Sequence, residues 1–192
     1  MLVTFEGIDG VGKSTQISLL ANVYKDAIIT KEPGGTNLGK KIRQILLNSE
    51  DISFRSEIFL FLADRAEHYD RIIAPNRDSL ILSDRGFISG ISYAMANNPT
   101  LYIEELVKFN EFALCGDFGE KFIFLKANFD ILEERLKERN LDSIEKRGIE
   151  YLKRVEDYME ILFKNSNFDV LSIDSTLDMQ TIHKQILEFI NG

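Results

Sequence analysis

Gly7-Ile8-Asp9-Gly10-Val11-Gly12-Lys13-Ser14 follows the pattern G-x-x-x-x-G-K-[ST]. The apolar run at residues 1–5 predicts a buried strand. Residues 15–24 predict a helix with Ile17, Leu20, Ala21 and Tyr24 on one face. A strand, a glycine-rich loop and a helix in that order make a phosphate cradle. Loop N–H groups of Gly7, Gly10, Val11, Gly12, Lys13, Ser14 and Thr15 can point at phosphate oxygens from the positive end of a helix dipole. Glycines at 7, 10 and 12 let the backbone wrap where a Cβ would block the approach. Lys13 then reaches the β- and γ-phosphates, and the Ser14 hydroxyl is offered to Mg²⁺.

Working outward, the chain alternates strands and helices. Residues 27–30, 79–83, 121–125 and 168–173 predict four more strands, apolar on both faces, as in a parallel sheet covered on both sides. Helices are predicted over 37–48, from Ser53 or Ser56 to about Ala74 before Pro75, around Ser89 and Tyr93, and after a Thr100 cap. Others follow over 130–138, 150–164 and 179–190. The reading is an α/β protein of three layers, one domain over 1–192, with a short charged lid at about 139–148. There is no internal repeat or low-complexity linker. The apolar excess of helices 56–73 and 88–96 makes them the candidates for a dimer surface.

A net charge of −8, from 23 basic and 31 acidic residues, argues against a broad nucleic-acid or anionic-membrane surface. It does not argue against a nucleotide, which needs only a local cationic pocket. No apolar run approaches the ~18 residues of a membrane span. The first strand begins at residue 1, which leaves no room for a leader and makes a cytoplasmic protein the default. The single cysteine, Cys115, lies in a helical pattern and is expected to be a small buried apolar residue.

A phosphate loop alone does not separate kinase from GTPase or motor. Three further features bear on chemistry. Asp84 ends a strand and precedes Arg85. A carboxylate there can hold Mg²⁺ beside Ser14, and a forked guanidinium suits a second phosphate; a plain salt bridge is the alternative. Phe61 and Arg65 are four apart on one helix face. They suit a base stacked on a ring with its edge bonded by the guanidinium, or equally a core Phe with a solvated Arg. Arg135 and Arg139 are also four apart and enter the charged stretch. Mobile arginines there can stabilise a transferring phosphoryl group, or they pair with Glu134 and Glu138 on a solvated face. His68, one turn past Arg65, stands where it can orient it.

From Phe5 to about Tyr158 these residues resemble the thymidylate kinase family. The resemblance is carried by Phe5-Glu6-Gly7-Ile8-Asp9-Gly10, by Glu32-Pro33-Gly34-Gly35-Thr36 with Leu38-Gly39 and Ile42-Arg43, and by residues 61–68. Asp84-Arg85, Ser89 and Tyr93 fall at the family's spacing, and Asp142, Ile144 and Glu145 resemble the end of its lid. The resemblance implies a P-loop NTPase fold with a five-stranded parallel sheet, a homodimer, Mg²⁺, and transfer of a phosphoryl group from ATP to dTMP. It places Asp9, Glu32, Pro33, Arg43, Phe61, Arg65, Arg85, Ser89 and Tyr93 around dTMP. It makes Lys13, Arg85, Arg135 and Arg139 catalytic, with Arg147 a third lid candidate. This chain departs from the family at Gly10, Ser143, Gly86, Ser92 and Ala94. A kinase for another acceptor and a P-loop protein without transfer activity are the rival readings.

Overall fold

The computed structural model describes residues 1–48, 52–130 and 147–192. Five strands, β1 (Leu2–Glu6), β2 (Ile28–Lys31), β3 (Ile81–Asp84), β4 (Lys121–Lys126) and β5 (Asp169–Asp174), form one parallel sheet in the order β2-β3-β1-β4-β5. The helices among the described residues are α1 (Lys13–Val23), α2 (Asn37–Asn48), α3 (Phe54–His68), α4 (Phe87–Asn97), α5 (Ile103–Ala113), α6 (Ile149–Lys164) and α7 (Met179–Asn191). α1 packs with α7, α3, α4 and α5 pack with one another, and α6 packs on α4. None of these helices is long and apolar enough to cross a membrane.

The strand order places the site. After β1 the chain crosses to β2 on one side of the sheet, and after β3 it crosses to β4 on the other. Ligands of open α/β sheets sit where the order reverses, at the carboxyl ends of the strands. The register puts Phe5 beside Asp84, and Asp84 beside Lys31. The phosphate loop, the Glu32-Pro33-Gly34-Gly35 loop and Asp84-Arg85 therefore leave the sheet side by side.

Several boundaries differ from the hydrophobic runs. β1, β2 and β5 each lie one residue toward the C-terminus, and β3 ends one residue later, at Asp84. The apolar run marks the covered part of a strand, while ladder bonds continue into the polar residues that carry the site. The Glu32 N–H donates to the Asp84 carbonyl at 3.0 Å and the Arg85 N–H to the Phe5 carbonyl at 2.9 Å. β1 is buried throughout, and Phe5, Phe122 and Phe124 are at most 2% exposed. The edge strands β2 and β5 are not apolar on both faces, since each has a neighbour on one side only and both leave residues exposed.

Ser53 is the cap of α3, accepting from the Ser56 N–H at 3.4 Å. The α-helical pattern ends at His68 and continues as a π turn over Tyr69–Ile73 and a 3₁₀ turn over Ala74–Asn76. Pro75 has no N–H, and its ring crowds the carbonyl four residues back, so a wider turn relieves both. Thr100 does not cap α5; it is bound by Asn98, and Tyr102 takes the cap position.

Cys115 is exposed rather than buried. It follows α5 at φ 51°, with its N–H on the Phe112 carbonyl and the Gly116 N–H on the Glu111 carbonyl. That pair of bonds is a Schellman ending. α4 is largely enclosed and offers little surface for a dimer. Exposed aromatic side chains gather instead on α3 and α5: Phe59 and Phe109, with ring centroids 6.2 Å apart, and Phe112 at 84% exposure.

Candidate active site

Two cavities open at the carboxyl end of the sheet. The first, of about 1100 Å³, is lined by Gly10, Gly12, Lys13, Ser14, Thr15 and Asp84 among others. Gly7 lies beneath the loop. A Cβ there would stand 2.5 Å from the Leu125 carbonyl oxygen, so the loop closes onto β4 only with glycine. Val11 turns its side chain into the core and has only its backbone to offer a phosphate. Lys13, 5% exposed, donates from Nζ to the Ile8 carbonyl at 2.9 Å. Burial, reinforced by the Arg85 charge, lowers its pKa to about 8.

Ser14 Oγ donates to Asp84 Oδ2 at 2.7 Å. A hydroxyl and a carboxylate side by side at a phosphate cradle are hard oxygen donors, and they fit Mg²⁺. Among the described residues no group of three or more His, Cys, Asp or Glu forms a metal cage. An ion on Ser14 and Asp84 would fill its shell from phosphate and water, as Mg²⁺ commonly does.

The second cavity, of about 560 Å³, is lined by all nine residues that the resemblance placed around the acceptor, from Asp9 to Tyr93, together with Leu47, Gly86 and Gly90. Asp9, Glu32, Arg43 and Arg85 line both cavities. A donor phosphate in one and an acceptor in the other would meet between the two arginines. Arg85 adopts φ 75°, an unusual conformation outside glycine. It is held by Asp9 Oδ1 at 2.8 Å, the Gly7 carbonyl at 2.8 Å and Ser89 Oγ at 2.9 Å. Its guanidinium also lies over the Tyr93 ring. Burial opposes ionisation of Asp9, but Arg85 and then Lys13 outweigh it and hold the carboxyl well below its usual range. Arg43 donates to the Pro33 carbonyl at 3.1 Å.

A family model described as thymidylate kinase matches residues 5–186. The thymidylate kinase of Campylobacter fetus subsp. fetus (strain 82-40) is 55% identical over 192 residues, covering 99% of this chain and 100% of the relative. This chain belongs to the thymidylate kinase family. The thymidylate kinase of Campylobacter concisus (strain 13826) is 52% identical over 193 residues, covering 100% of this chain and 99% of the relative. A crystal structure of thymidylate kinase from Ehrlichia chaffeensis has the same fold, with a TM-score of 0.78 at 24% identity over 100% of this chain and 98% of that one.

For a thymidylate kinase family member, the second cavity has a fixed cation at its floor. Arg65, 2% exposed, is not the solvated arginine of the plain helix reading. It donates from Nε to Glu32 Oε2 at 2.8 Å, from Nη1 to Asn110 Oδ1 at 2.6 Å and from Nη2 to the Gly86 carbonyl at 2.9 Å. A Cβ at residue 90 would stand 2.9 Å from Nη1, so Gly90 gives the guanidinium its room. Burial opposes ionisation of Glu32, yet Arg65 and His68 hold its pKa down. Beneath Arg85, the fully buried Glu6 accepts from both the backbone and the hydroxyl of Ser89. Burial pushes the Glu6 carboxyl up.

Arg135 and Arg139 lie outside the described residues, as do Asp142, Ile144 and Glu145. Arg147 does not line the phosphate cavity. It pairs with Glu57 at 2.7 Å and donates to the Tyr151 hydroxyl at 2.9 Å. Asn110, Glu6, Thr30 and Lys31 had no role in the sequence reading. Glu6 sits in the stretch Phe5–Gly10 that carries the family resemblance, but Asn110 carries no local signal.

Asp64 was also passed over. It is 1% exposed; Oδ1 accepts from the Gly34 N–H at 2.9 Å, and Oδ2 is buried with no hydrogen-bond partner among the described residues. Burial, and then the Glu32 charge, pushes its carboxyl up to about 6. The folded state therefore favours the protonated form. This group's contribution to stability is complete below the ordinary value of 3.8 and is lost as pH rises through about 6. A shift of that size corresponds to about 3 kcal/mol. Asp64→Asn is expected to melt above the wild type at pH 8 and level with it at pH 4. An equal shift at both pH values would show that the buried charge is not the cause.

Proposed function

We propose that the two cavities bind ATP and dTMP and that the γ-phosphoryl group passes directly between them, giving ADP and dTDP for deoxythymidine triphosphate synthesis. The observation that carries this is the sharing of Asp9, Glu32, Arg43 and Arg85 by both cavities, with Lys13 on the donor side and Phe61 and Arg65 on the acceptor side. The acceptor phosphate is already ionised, so no strong base is needed. Positioning and charge stabilisation supply the catalysis.

Each residue has a part in this reading. Lys13 and the loop N–H groups hold the donor phosphates. Arg43 and Arg85 hold the acceptor phosphate, and Asp9, kept ionised by Arg85 and Lys13, faces the sugar hydroxyl. Phe61 stacks on thymine, Arg65 donates to its edge, and Tyr93 packs beside the sugar and disfavours a ribose. Ser14 and Asp84 would hold Mg²⁺, which when bound screens the repulsion between phosphate oxygens. Arg135 and Arg139 are the proposed source of further positive charge at the transferring group.

ADP formation should depend on dTMP, with dTMP preferred in competition over dUMP, UMP, AMP and thymidine. ADP release indifferent to dTMP would favour a P-loop protein without transfer activity. Arg65→Ala is expected to raise the KM for dTMP by about 10- to 100-fold, the loss of one or two charge-assisted hydrogen bonds, with kcat little changed. An unaltered KM would remove Arg65 from base recognition.

The α3–α5 face, with Phe59, Phe109 and Phe112, is proposed as the seam of a homodimer. Light scattering should then give twice the 22.0 kDa chain mass in dilute solution. A single chain mass would set the dimer aside. A cytoplasmic setting fits a reaction between soluble nucleotides.

A further inference from the structure

Arg65 is the centre of a buried relay that runs across three elements of the fold. Thr30 Oγ1 at the end of β2 lies 2.6 Å from His68 Nε2, and His68 Nδ1 lies 2.8 Å from Glu32 Oε1. Glu32 Oε2 accepts from Arg65 Nε. Arg65 Nη1 reaches Asn110 on α5, and the Asn110 side chain donates from Nδ2 to the Leu106 carbonyl at 2.7 Å. That second bond fixes the amide orientation, because Nδ2 is committed within α5 and Oδ1 must face Arg65. His68 is 0% exposed and Asn110 3%. Neither lines the cavity assigned to dTMP, although Asn110 lines the adjoining cavity, which shares Phe61, Arg65, Gly90 and Tyr93 with it.

We infer that Asn110 and His68 are positioning residues that set the site's choice of pyrimidine by holding Arg65 from two sides. This rests on the assignment of Arg65 to the base. The guanidinium carries donors only. A 4-oxo pyrimidine offers it an acceptor, whereas a 4-amino pyrimidine sets donor against donor and leaves both unpaired in a buried site. That penalty holds only while Arg65 cannot turn away. Glu32 pins the Nε side, and His68 in turn pins Glu32 by its other oxygen. Asn110 pins the Nη1 side. With either arm released, the guanidinium can swing, so thymine loses a partner and cytosine loses its clash.

The test compares dTMP and dCMP as acceptors. Asn110→Leu keeps the branched shape in a somewhat larger side chain and removes both the acceptor facing Arg65 and the donor to the Leu106 carbonyl. It is expected to raise the KM for dTMP about tenfold, leave kcat within about twofold and lower the dTMP/dCMP ratio of kcat/KM about tenfold or more. Asn110→Asp keeps an oxygen facing Arg65 but loses the donor to the Leu106 carbonyl, so it should bring the dTMP/dCMP ratio closer to the wild type than Asn110→Leu does without restoring it fully. His68→Phe, which keeps a ring but loses both hydrogen bonds, should shift the ratio in the same direction. In an Arg65→Ala background Asn110→Leu should add nothing, since residues acting through one group are not additive. Additive losses, or a parallel fall of kcat with no change in ratio, would overturn the inference and leave Asn110 a structural residue. If Asn110→Leu does not fold, the Asn110→Asp and His68→Phe ratios decide. An Arg65→Ala enzyme with normal KM would instead overturn the base assignment and this inference with it. A sensitive Arg65→Ala beside an insensitive Asn110→Leu overturns the inference alone.

Discussion

Lys13→Met should lower kcat by roughly 10³-fold, the scale seen when one preorganised charge or donor is removed from a transition state. The protein should not melt earlier. Lys13 is 5% exposed and, among the described residues, donates to the Ile8 carbonyl alone. Burying an ammonium group costs free energy, and an apolar side chain of similar length relieves that cost. An inactive enzyme with an unchanged or raised Tm is the expected pairing. A lower Tm would mean that the loop needs the lysine to fold, and the activity loss would then say little about phosphate.

The lowered pKa of Lys13 gives the same residue a pH signature. With a free-enzyme value of about 8, the ammonium form proposed to bind the triphosphate is depleted above that pH. The Kd for ATP should therefore rise about tenfold per pH unit above 8, and level off once the pKa of the complex is passed. Stability moves the other way. The unfolded chain keeps a proton up to its ordinary value of 10.5, so this group's contribution rises between about 8 and 10.5. ATP titrations at pH 7, 8 and 9 test the first statement. A flat profile would show that Lys13 is fully charged without nucleotide.

Arg85→Ala carries the second large effect. Its guanidinium joins Asp9, the Gly7 carbonyl and Ser89 at the junction of the two cavities. The kcat/KM for dTMP should fall by roughly 10²–10³-fold. Arg85→Lys should recover little of it, since an ammonium cannot reproduce a fork held by three separate acceptors. Some stability goes too, about 1–3 kcal/mol, because Asp9 loses its nearest cation while part of its side chain stays in contact with solvent. A near-normal kcat/KM with dTMP would place the acceptor phosphate elsewhere, with Arg43 as the first alternative.

The phosphate loop and its flanking strand and helix were legible as residues because the chemistry is local. A run of backbone N–H groups, a lysine and a hydroxyl binds phosphate from one contiguous segment. The order of strands and helices was legible for a similar reason, since apolar runs report burial directly. Two readings turned on resemblance rather than on periodicity. Phe61 and Arg65 on one helix face fit a core stripe as well as a base clamp, and the cavity that both line, with Arg65 buried, is what supports the clamp proposed for them.

What tertiary structure alone decided is the set of partners far apart in the chain. Asn110 meets Arg65 across 45 residues, and His68 meets Glu32 across 36. Arg147, a lid arginine by sequence, is turned to Glu57 across 90 residues. Cys115 reads as helical and buried, yet it caps a helix in the open, because the last turn of α5 needed a left-handed residue and not an apolar one. The sequence by itself determined which residues form the glycine-rich loop between β1 and α1, since that shape belongs to a local stretch of backbone. The fold decided which charges are held, which are aimed and which are neutralised, since those depend on distances that only packing creates.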